Sequence, residues 1–201
     1  MSIFRTFKKL HKEEIEAQAT KIIRRMKLSQ HYIPKWPLDA SRVAEFLGLD
    51  VVWDSIGDDE IGTIAARIFP LQRLIEINSD IPKLRGTIAE LTIAHEIGHW
   101  VLHVNPVAVN RFLKLRKRGV DVKPVDPLFC RGSNAELEIE WQADYFASCL
   151  LMPKYILEEK QKQQDLTQPG NLNQIAEEIG VNRSDLFHRL QDLDLLPVSS
   201  F

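Results

Sequence analysis

Ile93-Ala94-His95-Glu96-Ile97-Gly98-His99-Trp100-Val101-Leu102-His103 carries His95 and His99 four positions apart, with a glutamate directly after the first and a third histidine at its end. The apolar residues around them recur at helical spacing, which puts His95 and His99 one turn apart on one helix face. Two imidazoles so placed can grip one zinc ion. Glu96 points to the side of that face, within reach of a metal-bound water but badly placed to be a third ligand. His103 lies roughly 12 Å along the helix from His95 and cannot share one ion with it, so it reads as an orienting or packing residue. A three-ligand zinc site needs one more protein donor from elsewhere in the chain.

The helix holding this stretch is expected to start at Asp80-Ile81-Pro82 and to run to about Val104, stopped by Asn105-Pro106. Ile88, Leu91, Ile93, Ile97, Trp100, Val101 and Leu102 wrap most of its circumference in apolar surface, which makes it central to the core. His95 and Glu96 are then polar groups that the interior penalises unless a metal or a partner satisfies them.

Downstream, Ser133-Asn134-Ala135-Glu136 reads as a capping box opening a helix that ends at Met152, before Pro153. Its stripe Glu140, Ala143, Asp144, Ala147, Leu151 sets two carboxylates one turn apart beside alanines small enough for close helix approach. Glu136 and Glu138 compete for the role of third ligand. Glu138 falls on the wrong side, and Glu136 has no Asp one turn later. Glu140 is therefore the expected ligand, and Asp144 the expected acceptor for a ligand histidine's free N–H.

The remaining chain supplies the frame. Residues 8–28 form an amphipathic helix with Leu10, Ile15, Ala19, Ile22, Ile23 and Met26 on one side and a solvated basic face on the other. A short helix follows Pro34 and Pro37, capped by Asp39 or Ser41 and ended by Gly48. Residues 51–53, 63–69 and 73–77 read as strands, the last two a hairpin across Pro70-Leu71-Gln72, so the sheet is expected to be small and largely antiparallel. Residues 107–118 read as a short exposed helix. The rest of 105–133 is a loop beside the site, holding Cys130 as a free thiol with no assigned role.

With 201 residues and 44% hydrophobic content, the chain can bury a core of ordinary size. Two cysteines, Cys130 and Cys149, cannot build a disulfide framework, and the start at Met1 has no apolar block, so a cytoplasmic protein is expected, with no role at a membrane. The net charge of −2 conceals an uneven distribution. Residues 1–35 hold nine Lys/Arg against three Glu, whereas residues 158–201 hold four against eight Asp/Glu. In that acidic end, helices carrying Ile175, Ala176, Ile179 and then Leu186, Phe187, Leu190, Leu193 flank Gly180-Val181-Asn182, with Asn171 as the first cap. The unit is helix-turn-helix-like, but Asp185, Asp192 and Asp194 face Arg183 and Arg189, which favours protein docking over DNA.

Taken together, residues 93–103 and Glu140-Trp141-Gln142-Ala143-Asp144-Tyr145-Phe146-Ala147 through Met152-Pro153 resemble the ImmA/IrrE family of metallopeptidases. Pro37-Leu38-Asp39, residues 43–48 and Glu76-Ile77-Asn78 also fit, so that the likeness spans most of residues 37–195. The resemblance implies a mainly helical α+β zincin-like core over 37–157, preceded by an N-terminal helix and linker (1–36) and followed by the helix-turn-helix-like unit (158–201). It implies one Zn2+ held by His95, His99 and Glu140, with Glu96 as general base and the strand near 73–78 holding an extended peptide. It also implies a zinc endopeptidase of the Glu-zincin type, acting on a helix-turn-helix repressor in a stress or mobile-element response. The interval between His99 and Glu140 is long for the family. Metzincin chemistry is excluded, because Leu102 and Asn105 stand where it needs Gly and His. His103, Tyr145 and His188 are alternative second donors to the oxyanion. The competing reading is a non-proteolytic regulator that binds a repressor or DNA.

Overall fold

The computed structural model describes residues 2–59, 62–120 and 134–196. Its architecture is α+β, with eight helices and one three-stranded sheet among the described residues. In chain order these are α1 (Lys12–Lys27), α2 (Ala40–Phe46), β1 (Asp50–Asp54), β2 (Ala66–Phe69), β3 (Leu74–Asn78), α3 (Thr87–Leu102), α4 (Pro106–Lys117), α5 (Asn134–Leu151), α6 (Lys154–Gln163), α7 (Pro169–Ile179) and α8 (Arg183–Asp192). No helix of the described residues is long and apolar enough to cross a membrane.

The sheet is mixed rather than largely antiparallel. β2 and β3 form the expected hairpin, with Ile68 opposite Ile75, but β1 joins the other edge of β3 in parallel, Val52 beside Glu76. Residues 55–59 leave β1 on one edge of β3, and residues 62–65 lead into β2 on the other. Asn78, 1% exposed, pins both segments by donating from Nδ2 to the carbonyls of Ile56 (2.9 Å) and Ile64 (2.8 Å).

α3 lies against the sheet and begins at Thr87, seven residues later than expected from Asp80. Gly86 adopts φ +57° and ψ −130°, a conformation open to glycine that cannot continue a helix, so residues 81–86 form turns. Asn105 both ends α3's extension and caps α4, its Oδ1 accepting from the amides of Val107 and Ala108. α7 starts at Pro169 with Gln168 before it, two residues ahead of the expected Asn171 cap, because proline suits the first helical position. The polar helix α6, not read from the sequence, fully buries Leu157 alone. The capping residue Ser133 and Cys130 lie outside the described residues, while Cys149 is a buried free thiol.

The buried stripe of α1 (Ile15, Ala19, Ile22, Ile23, Met26) packs against α5, and the core continues into Ile175, Leu186 and Leu190 of the last two helices. Several links hold that last unit to the rest, among them the following. Gly180 has φ +80°, and a Cβ there would stand 2.6 Å from the Pro37 Cβ. Lys12 Nζ pairs with Asp192 at 2.6 Å. Arg189 of α8, with its side chain wholly buried, pairs with Glu16 of α1 and donates to the Tyr145 hydroxyl (3.1 Å) and the Met152 carbonyl (3.2 Å) of the α5 region. Removing one member of a buried ion pair strands the other charge. Arg189→Met is expected to lower unfolding free energy by about 3 kcal/mol in urea titration, the low end for such pairs because Glu16 keeps some solvent contact.

Candidate metal centre

The centre forms where α3 and α5 cross closely. A Cβ on Gly98 would lie 3.0 Å from both the Cα and the carbonyl oxygen of Ala143, and 3.2 Å from Phe146 Cδ1. Gly98 and the buried Ala143 thus let two helix backbones nearly touch. His95 then faces Asp144, and His99 faces Glu140, in an antiparallel arrangement.

The donor atoms of His95, His99 and Glu140 all lie within 4.8 Å of one another. His95 Nε2 is 2.9 Å from His99 Nε2 and 3.2 Å from Glu140 Oε2, and His99 Nε2 is 3.3 Å from Glu140 Oε1. Donors bonded to a tetrahedral zinc at about 2.0–2.1 Å stand roughly 3.3 Å apart, so this triangle fits one such ion with little adjustment. Two imidazoles and a carboxylate are also the donor types zinc takes at a three-ligand site. The expected ligand set is therefore brought together, and it could hold a metal ion.

Each imidazole is braced from behind. His95 Nδ1 is 2.7 Å from Asp144 Oδ1, the expected contact, and this leaves Nε2 aimed into the triangle. His99 Nδ1 is 3.1 Å from His103 Nδ1. Exposure grades across the centre, from 3% for the His99 side chain through 35% for Glu140 to 72% for Asp144, so one edge is open to solvent.

Charge is concentrated here. Burial works against a positive His95, but the carboxylates of Asp144 and Glu140 outweigh it and push its pKa up to about 10. Burial also disfavours the Glu140 carboxylate, yet the two histidines beside it, His95 hydrogen-bonded to it, hold it well below the usual range. Glu96, 6% exposed, goes the other way: burial raises it, and the nearby imidazoles oppose that only in part.

The three candidates for a second oxyanion donor separate. His103 stands behind His99. The Tyr145 hydroxyl is held by Arg189, and burial pushes its pKa up to about 12. His188 is exposed and lines an open groove with Asp144, Leu91 and Trp141. Sequence reasoning passed over Gly98 and Gln142. The glycine could have been found as the one position within the motif that lacks a side chain, on the face turned towards two alanines.

No protein-family model matches the sequence, and no curated protein does. Among solved structures, a Mycobacterium tuberculosis transcriptional regulator is similar in fold, with a TM-score of 0.54 and 16% identity over 89% of this chain. This chain spans less than half of that protein, 46% of its length.

Two outcomes follow from the geometry. Gly98→Ala is expected to lower stability by about 1 kcal/mol or more in denaturant titration and to weaken zinc binding, because a clash with helix backbone outweighs alanine's better helix propensity. Since a proton holds His95 near neutral pH without metal, zinc must displace it. Calorimetry in buffers of differing ionisation enthalpy is expected to show about one proton released per zinc at pH 7, with apparent affinity rising as pH rises.

Proposed function

We propose that this chain is a zinc-dependent endopeptidase of the Glu-zincin type, directed at a helix-turn-helix repressor. The observation that carries the reading is the His95–His99–Glu140 triangle with the buried Glu96 beside it, open to solvent along the Glu140–Asp144 edge. A structural zinc is closed by four ligands and has no use for such a glutamate. The resemblance of residues 93–103 and 140–153 to ImmA/IrrE peptidases points to the same chemistry.

Zinc bound at the triangle would act as a Lewis acid towards a peptide carbonyl and acidify water at its open position. Glu96 takes the proton of the attacking water and returns it to the departing amine, and burial, which raises its pKa, favours the protonated form that the return step needs. Asp144 holds the His95 ring in one orientation and tautomer throughout. The groove between α5 and α8, lined by Leu91, Trp141 and His188, continues from the open edge and offers room for a flanking segment of the substrate.

The competing reading is a regulator that acts by binding alone, and the similar solved structure is named a transcriptional regulator. Direct reading of DNA by α8 is poorly supported. Arg189 is buried in an ion pair, which leaves exposed Arg183 on a helix that also carries Asp185 and Asp192. Glu96→Gln separates the two readings. It is expected to keep one zinc per chain and to bind the repressor, while cleavage followed by mass spectrometry falls by about 10²–10⁴-fold. Undiminished repressor inactivation by this variant would refute the peptidase.

A further inference from the structure

We propose that Gln142 is a positioning residue for the metal centre: through His103 it fixes the tautomer in which His99 presents a bare Nε2 to the ion. The inference rests on the metal-site reading above and is independent of what the site hydrolyses.

The reasoning starts at an atom with no freedom. The Lys8 carbonyl can only accept, and Gln142 Nε2 donates to it at 3.2 Å. Gln142 must therefore turn Oε1 the other way, where His103 Nε2 stands at 3.3 Å. An amide oxygen only accepts, so the His103 proton sits on Nε2 and its Nδ1 keeps a lone pair. That lone pair faces His99 Nδ1 at 3.1 Å, so His99 carries its proton on Nδ1. His99 Nε2 is thereby left free, 3.3 Å from Glu140 Oε1. Each link admits one arrangement because both ends of Gln142 are occupied and its side chain is fully buried, so reversing the amide would set its oxygen against the Lys8 carbonyl oxygen.

The relay is that of the neutral His103 ring, since a cation would donate from both nitrogens and turn His99 round. The Lys8 carbonyl is itself held in place, since the segment before α1 is tied across the end of α3. Arg5 N donates to the His103 carbonyl (2.8 Å) and Asn105 N to the Ile3 carbonyl (2.7 Å). The two ligand histidines are thus braced differently, His95 by an exposed carboxylate and His99 by a neutral chain through half-buried His103 and buried Gln142.

Nitrogen-15 NMR of the metal-free wild-type protein near neutral pH tests this without any variant. The expected result is His99 protonated on Nδ1 and His103 on Nε2; the opposite assignment for either ring overturns the proposal. Gln142→Leu, checked for a wild-type-like melting transition, is expected to mix the His99 tautomers and weaken zinc binding about 10–100-fold in competition with a chromophoric chelator. Unchanged tautomers and unchanged affinity in that variant would also overturn it. A wild-type protein that takes up no stoichiometric zinc would instead remove the metal reading itself, an outcome distinct from a relay that fails while zinc still binds.

Discussion

The contact between Gly98 and Ala143 sets the distance between two helices, and the His95–His99–Glu140 triangle exists only at that distance. Ordinary helix pairs lie about 8–10 Å apart according to the side chains between them. Here the missing side chain at 98 and the single methyl at 143 bring α5 backbone to 3.0 Å from the position a Cβ would take. At that separation the four-residue spacing of His95 and His99 meets the four-residue spacing of Glu140 and Asp144, turn for turn. A larger residue at either position would part the axes and open a donor triangle whose sides are now about the length a tetrahedral ion requires. Ala94, Ile97, Phe146 and Ala147, all essentially unexposed, surround the crossing and resist that parting.

The crossing holds because α5 is gripped on several sides. α1 lies along it with the Ile15–Met26 stripe, α3 crosses it at Gly98, and Arg189 reaches from α8 to the Tyr145 hydroxyl. The Arg189 guanidinium bonds to three groups, one from α1 and two from the α5 region, so the first and last helices close on α5 rather than hanging from it. A buried ion pair adds little net stability over a well-packed apolar pair, but it admits few alternative arrangements. That restriction matters most beside a site whose donors must stay within tenths of an ångström.

What could be read in advance was whatever repeats at a short, fixed interval. His95, Glu96 and His99 share one helix, and Glu140 and Asp144 another, so periodicity alone assigned their faces. The stripes of α1 and α5 were legible for the same reason. What escaped depended on partners distant in sequence. Arg189 reads as one more base on a candidate recognition helix, because nothing near it announces Glu16, 173 positions away. Gln142 has no motif value as a neutral amide, and its meaning comes from a carbonyl 134 positions earlier. The parallel pairing of β1 depends on β3 twenty-odd positions later, and the late start of α3 on one glycine's backbone. Local spacing specifies the donors, whereas their bracing is a property of the tertiary fold.

The two braces also divide the electrostatic work. An anionic partner makes an imidazole a better donor to a cation but also a better base, so it holds a proton that the metal must displace; His95, raised to about 10, carries that cost. Had His99 a second carboxylate behind it, a cluster already holding Glu140, Asp144 and Glu96 would grow more negative, and Glu96 would be driven further from the ionised form a general base needs. A neutral chain ending on a backbone carbonyl orients His99 without adding charge. It also tolerates burial, which the exposed Asp144 does not have to bear. The asymmetry between the open, charged brace and the less exposed, neutral one therefore follows from placing two candidate ligand histidines and a buried carboxylate on a single helix, half in the core and half facing water.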